Sequence, residues 1–167
     1  MSVTKVLSLA FAGLIVGLWA YLTVLAALFY RAAIPKQLEL TYSLPTRGSN
    51  GSCGGAIFSL TDKAALTIET HGRDALNDAV RGRGYLDPST PRFHQYIYRP
   101  WQETPLPREW TSEGTWAGLH CMGLSANDAR TITSAAKAAG SYFTTAAPTT
   151  MLLVIPKLRL AVYTYFN

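Results

Sequence analysis

Gly51-Ser52-Cys53-Gly54-Gly55 sets a cysteine in a G-x-C-x-G pattern, the arrangement that can present a nucleophile on a tight turn. Such a thiolate attacks a carbonyl when a strand leads into the turn and a helix leads out of it. That geometry lifts the sulfur above the sheet edge and aims helix-end amides at the oxyanion. Here polar coil precedes Cys53 and the strand-like run Ala56 to Leu60 follows it. Cys53 is therefore expected in a structural role. The chain has 2 cysteines, and the other is Cys121. A bridge between them would close a long loop and contribute about 4 kcal/mol through chain entropy. The bridge is natural in an oxidising compartment, and the alternative is two free, buried thiols on a cytosolic domain.

The 3 histidines, His71, His94 and His120, lack the His-x-x-x-His spacing that places two imidazoles on one helix face for zinc. His120 adjoins Cys121, but on a strand neighbouring side chains point to opposite faces and would not share a metal. Neither a metal nor a cofactor is expected. Glu69 and Asp78 have the spacing of the acidic pair in membrane-anchored phage lysozymes, yet Gly84 stands where that pattern needs threonine, so the match is not carried. Asn50-Gly51-Ser52 forms a glycosylation sequon, meaningful only in a host that glycosylates secreted proteins. If the chain were an enzyme, His71, Glu69 and Cys53 would be its first suspects.

The elements that would position these groups begin with an uninterrupted apolar run, Val6 to Tyr30, with Lys5 before it and Arg31, Pro35 and Lys36 after it. At about 1.5 Å per residue it exceeds the roughly 30 Å of a hydrocarbon core, so a membrane-spanning helix is expected over 1–33. The run is longer than the h-region of a cleaved signal, which favours a retained signal anchor. Tyr30 with Arg31 fits a headgroup anchor, while Trp19 and Tyr21 lie too deep for one. Charge alone, with Lys5 and the terminal amine on one side against Arg31, Lys36 and Arg47 on the other, mildly favours the N-terminus outside. The short tail before the helix and the cysteine pair favour the N-terminus inside and the domain on the outer, periplasmic side of the cell membrane.

Ala10, Gly13, Gly17, Ala20 and Ala27 recur at helical spacing and form a small-residue stripe that includes a GxxxG pair. Small side chains let a second helix backbone approach closely, so Ala10, Gly13, Gly17 and Ala20 are candidate helix–helix contacts with other integral membrane subunits. The remaining contacts of the helix would be membrane lipid.

Residues 34–167 suffice for one α+β domain with a mostly antiparallel sheet and two helices. Leu38 to Leu44 reads as a strand closed by Pro45, followed by a glycine-rich loop, Thr46 to Gly55. One helix starts at Thr61 and runs to the glycines of Arg81-Gly82-Arg83-Gly84; a second starts at Ser125 and ends at Gly140. Phe93 to Tyr98 is a short strand. Met151 to Ile155 and Leu158 to Phe166 read as an antiparallel pair ending the sheet. Trp101, Trp110 and Trp116 lie in a proline-interrupted segment that forms either a partner surface or a lid over the core. From Ile34 onward 13 Lys or Arg stand against 10 Asp or Glu, a net +3 that is well short of the concentrated patch nucleic-acid binding needs. The reading best suited to these features is a non-catalytic accessory or assembly subunit of a larger membrane complex. The alternative is a membrane-tethered, hydrolase-like envelope enzyme.

Overall fold

The structure is a computed structural model that describes residues 3–87, 90, 92–111 and 116–166. Helix α1 spans Val3–Ala33, and the first hairpin follows as β1 (Thr46–Ser49) and β2 (Cys53–Ser59). Next come α2 (Asp62–His71), the two-residue strands β3 (Tyr85–Leu86), β4 (Phe93–His94) and β5 (Gln102–Glu103), and the single-turn helices α3 (Arg108–Thr111) and α4 (Ala117–His120). The chain ends with α5 (Ala126–Lys137), β6 (Tyr142–Ala147), β7 (Thr150–Ile155) and β8 (Leu160–Phe166). Six strands form one sheet in the order β1-β2-β8-β7-β6-β5, every pairing antiparallel, and β3 with β4 forms a separate small ribbon. The fold is α+β.

Strand β7 explains the layering. Every residue from Thr150 to Ile155 is buried, which a strand achieves only when both sheet faces are covered, and its near-continuous apolar run follows from that. Leu152 and Val154 face one core with Ile68, Leu76, Tyr30 and Ala33 from α1, α2 and the turn after it. Met151, Leu153 and Ile155 face the other core with Ile132 and Ala136 of α5 and Leu119 and Met122 around α4. Thus β7 and β8 are the centre of the sheet, not its end as the sequence suggested. The bend between them is a 3-10 turn, Pro156–Leu158, closed by Arg159 in the left-handed region at φ 55°.

Several expected boundaries move for identifiable reasons. Thr61 caps α2 by accepting the Ala64 amide at 3.2 Å, as expected, but the helix stops at Gly72. Gly72 adopts φ 61°, which glycine tolerates and a helix interior excludes, and the chain continues as a 3-10 turn, Gly72–Leu76. Ser125 caps α5 through the Asp128 amide at 3.1 Å. That helix ends at Lys137 rather than Gly140. Leu38 to Leu44 contributes a single bridge, Leu40 to Leu60, rather than a strand, and Phe93 to Tyr98 contributes the two residues of β4 and a single bridge, Ile97 to Arg81.

The supposed loop Thr46 to Gly55 is in fact the β1–β2 hairpin, turning at Asn50-Gly51-Ser52 with Gly51 at φ 81°. Gly48 and Gly55 pair across it because the backbone at Met122 and Tyr163 lies where their side chains would be. Gly118 of α4 is equally constrained, since an added methyl would come 2.6 Å from Thr164 Cβ. These glycines let the α4 segment rest directly on β2 and β8. The Cys53–Cys121 disulfide fastens that segment to the sheet, with the two Cα atoms 5.8 Å apart.

Candidate functional site

Segments distant in sequence converge where α1 meets the domain. A helix leaves its last carbonyls without intrahelical donors, and these need partners once they are buried. Ala32, Ala33 and Ile34 are buried, and the partners come from far along the chain. The Gly84 amide donates to Ala32 O at 2.9 Å, the Tyr98 hydroxyl to Ala33 O at 2.8 Å and the Arg83 amide to Ile34 O at 3.2 Å. The Arg83 guanidinium adds donors to Ile34 O at 2.7 Å, Pro35 O at 3.0 Å and Leu38 O at 3.4 Å. Gly82 permits this approach, because a methyl there would sit 2.8 Å from the carbonyl oxygens of Ala32 and Ala33. Arg81-Gly82-Arg83-Gly84, read from sequence as the end of a helix, is therefore the cap of a different helix.

Around this cap sits a cluster of tyrosines. Tyr30, expected at the lipid headgroups, is instead buried, its ring edge-on to Tyr163 at 6.3 Å and its hydroxyl in reach of Tyr165 and Ser49. Tyr96 packs edge-on against Tyr163 at 5.7 Å and stacks with Tyr98 at 6.4 Å. Burial pushes the Tyr98 and Tyr163 hydroxyls far above the ordinary phenol range, and the neighbouring tyrosines push in the same direction. Burial raises Tyr96 as well. The Tyr98 hydroxyl donates to Ala33 O, and the Tyr96 and Tyr163 hydroxyls are hydrogen-bonded to each other, so the cluster braces the junction.

Beside the cap opens a groove of about 490 Å³, walled by Leu25, Leu28 and Phe29 of α1 and by Arg83, Gly84, Tyr85 and Leu86. Arg31 and Ala32 complete its lining, and among the described residues no acidic side chain contributes. The Phe29 and Tyr85 rings lie 5.3 Å apart, which ties the small β3–β4 ribbon to the helix. On the ribbon Leu86 is 65% exposed and Phe93 62% exposed, values that leave two large apolar side chains uncovered at this edge. Burial lowers the pKa of Arg83, with the positive charge of Arg31 as a second cause.

Farther down α1, Phe11–Ala33 is long and apolar enough to cross a membrane. Gly13 and Gly17 have nothing within 4 Å of an added side chain, and Ala20 is exposed. Ala10 belongs to the helix backbone, and its side chain lies outside the described residues. Ala27, last in the same spacing, is buried against the domain, so the small-residue stripe emerges from beneath the domain.

The three tryptophans divide. Trp101 is 3% exposed and donates its indole N–H to Ala79 O at 3.0 Å, and Trp116 is 7% exposed and donates to Thr164 Oγ1 at 3.2 Å. Both belong to the two cores, and neither forms the partner surface considered from sequence. A buried indole needs an acceptor, and each has one. Trp110 is partly buried and packs edge-on against Phe166 at 5.6 Å.

The enzyme suspects do not assemble. Cys53 opens a strand instead of topping an elbow, and its sulfur is committed to Cys121. Glu69 and His71 are exposed on α2, where the His71 ring engages its own helix at Thr67 O, 3.1 Å away. His94 pairs with Asp87 at 3.7 Å on the β3–β4 ribbon and stacks on Tyr85. Among the described residues no group of three or more His, Cys, Asp or Glu could hold a metal. No protein-family model, curated protein or solved structure matches the chain.

Proposed function

We propose that the protein is a single-pass membrane protein that serves as a non-catalytic accessory or assembly subunit of a larger membrane complex, with its domain on the outer side of the membrane. The observation that carries this reading is the open small-residue face at Gly13, Gly17 and Ala20, which begins where the domain's own contact with Ala27 stops. A partner helix packed there would gain close backbone contact along α1 and would lie beneath the domain. The exposed Trp19 and Tyr21 rings supply further surface for helix or lipid contact. The Cys53–Cys121 bridge favours an oxidising compartment for the domain, which supports the outer side.

Extraction in mild detergent followed by native electrophoresis tests the proposal. The chain should migrate with larger integral membrane partners, and Gly13→Leu or Gly17→Leu should release it while leaving the domain folded. Comigration that survives both substitutions sinks the docking face.

A further inference from the structure

We propose that the groove between α1 and the β3–β4 ribbon holds an anionic phospholipid, its acyl chain along Leu25, Leu28 and Leu86 and its phosphate between Arg31 and Arg83. The inference rests on α1 lying in a bilayer, but not on a partner subunit. Its first support is depth. About 20 residues fill a hydrocarbon core, so a span that starts just after Lys5 leaves the core near Leu25. Leu28, Phe29 and Arg31 then stand at the level where acyl chains give way to headgroups. The groove's apolar wall is thus continuous with the lipid-facing surface of the helix, and Leu25, Leu28 and Phe29 are exposed on it. The second support is charge. Arg31 and Arg83 both line the groove, no carboxylate does so among the described residues, and Arg31 takes part in none of the ion pairs among them. Arg83 cannot swing away to relieve the repulsion, because three backbone carbonyls hold it. A phosphate supplies the missing negative charge, and guanidinium forks suit its geometry. The third is the ribbon, whose uncovered Leu86 and Phe93 extend the apolar surface sideways from the helix at the same level.

The full-length chain in mild detergent, offered equal amounts of phosphatidylcholine and phosphatidylglycerol and examined by native mass spectrometry, gives the test. One phosphatidylglycerol should be retained in about tenfold preference, the size expected from one charge-assisted contact. Arg31→Gln should abolish that preference. Leu86→Ser should weaken retention of both lipids, and Lys157→Gln, on the distant β7–β8 bend, should change nothing. Arg83 is left intact because it caps α1, and thermal unfolding of each variant checks that folding is unaltered. Equal retention of both lipids by the unaltered chain overturns the proposal, as does a preference that survives both Arg31→Gln and Leu86→Ser or one lost equally in Lys157→Gln. Displacement of the lipid by inorganic phosphate, or a protein partner seated in the groove in its place, would overturn it too.

Discussion

Replacing both cysteines, Cys53→Ser with Cys121→Ser, probes the domain's one covalent clamp. The bridge spans a sequence separation of 68, and chain-entropy closure of such a loop costs roughly 15 cal/mol/K in the unfolded state, or about 4 kcal/mol at 25 °C. Cys53 is buried at the start of β2, and Cys121 follows α4, so the bridge also holds the α4 segment on the sheet. There the contacts at Gly48, Gly55 and Gly118 are backbone approaches without side chains to interlock. Trp116, Leu119 and Met122 supply the remaining grip through their burial in the core. The double variant should therefore fold, with a melting temperature lower by about 10–20 °C for a domain of this size. The assay is thermal and urea unfolding of the full chain in detergent, followed by near-ultraviolet circular dichroism so that the apolar helix does not mask the domain. Hydrogen exchange should show protection lost first in α4 and the turn after it. A loss below about 1 kcal/mol would refute the closure argument. Thiol labelling of the denatured, unreduced native chain supplies an independent check, because two reactive cysteines would remove both the clamp and the case for an oxidising compartment.

Arg83→Met should cost about 1–3 kcal/mol, because it withdraws donors from Ile34, Pro35 and Leu38 carbonyls at the end of α1, and urea unfolding reads the loss. Arg83→Lys should recover part of it, since one ammonium reaches fewer of those oxygens. Alkaline pH should destabilise the junction through Tyr96, Tyr98 and Tyr163. Their folded-state pKa values are raised, so their contribution is fully present below the unfolded value near 10 and is lost as pH climbs beyond it. Phenolate absorbance should accordingly lag behind that of free tyrosine and then rise together with unfolding. Titration of all tyrosines near pH 10 without unfolding would contradict their burial.

What could be read from the sequence was whatever rested on local pattern. The apolar length of α1, the caps at Thr61 and Ser125 and the apolar runs of β7 and β8 are signals that neighbouring residues carry by themselves. What escaped depends on distant partners. Thr46–Ser49 is polar because it is an edge strand, and its glycines signal close packing by Met122 rather than a loop. Tyr142–Ala147 passes through small and polar residues, and its strand character comes from pairing with β7 and β5. Arg81-Gly82-Arg83-Gly84 looked like a helix exit because its true partners, the carbonyls of Ala32 to Ile34, lie some fifty residues earlier. A glycine–arginine alternation is the residue choice needed to bring backbone and guanidinium together onto a buried helix end. That signal was present but had no address. The tryptophans were ambiguous for the same reason, since only the sheet reveals that Ala79 O and Thr164 Oγ1 await their indoles.

The junction changes what the long helix means mechanically. Were α1 joined to the domain by a polar linker, the domain could tilt freely over the membrane and any contact made by the helix would stay local. Instead the last turns of α1 are part of a core: Tyr30, Ala33 and Ile34 pack with Leu38, Leu76 and Tyr163, and Arg83, Gly84 and Tyr98 saturate the helix end. Tilting the helix against the domain would break those hydrogen bonds, at about 0.5–1.5 kcal/mol each. Helix orientation and domain orientation are therefore coupled. The Phe29–Tyr85 ring contact adds a second attachment between the helix and the ribbon. A partner helix at Gly13 and Gly17 would consequently meet a domain held at a fixed angle, which is what a subunit that positions others requires.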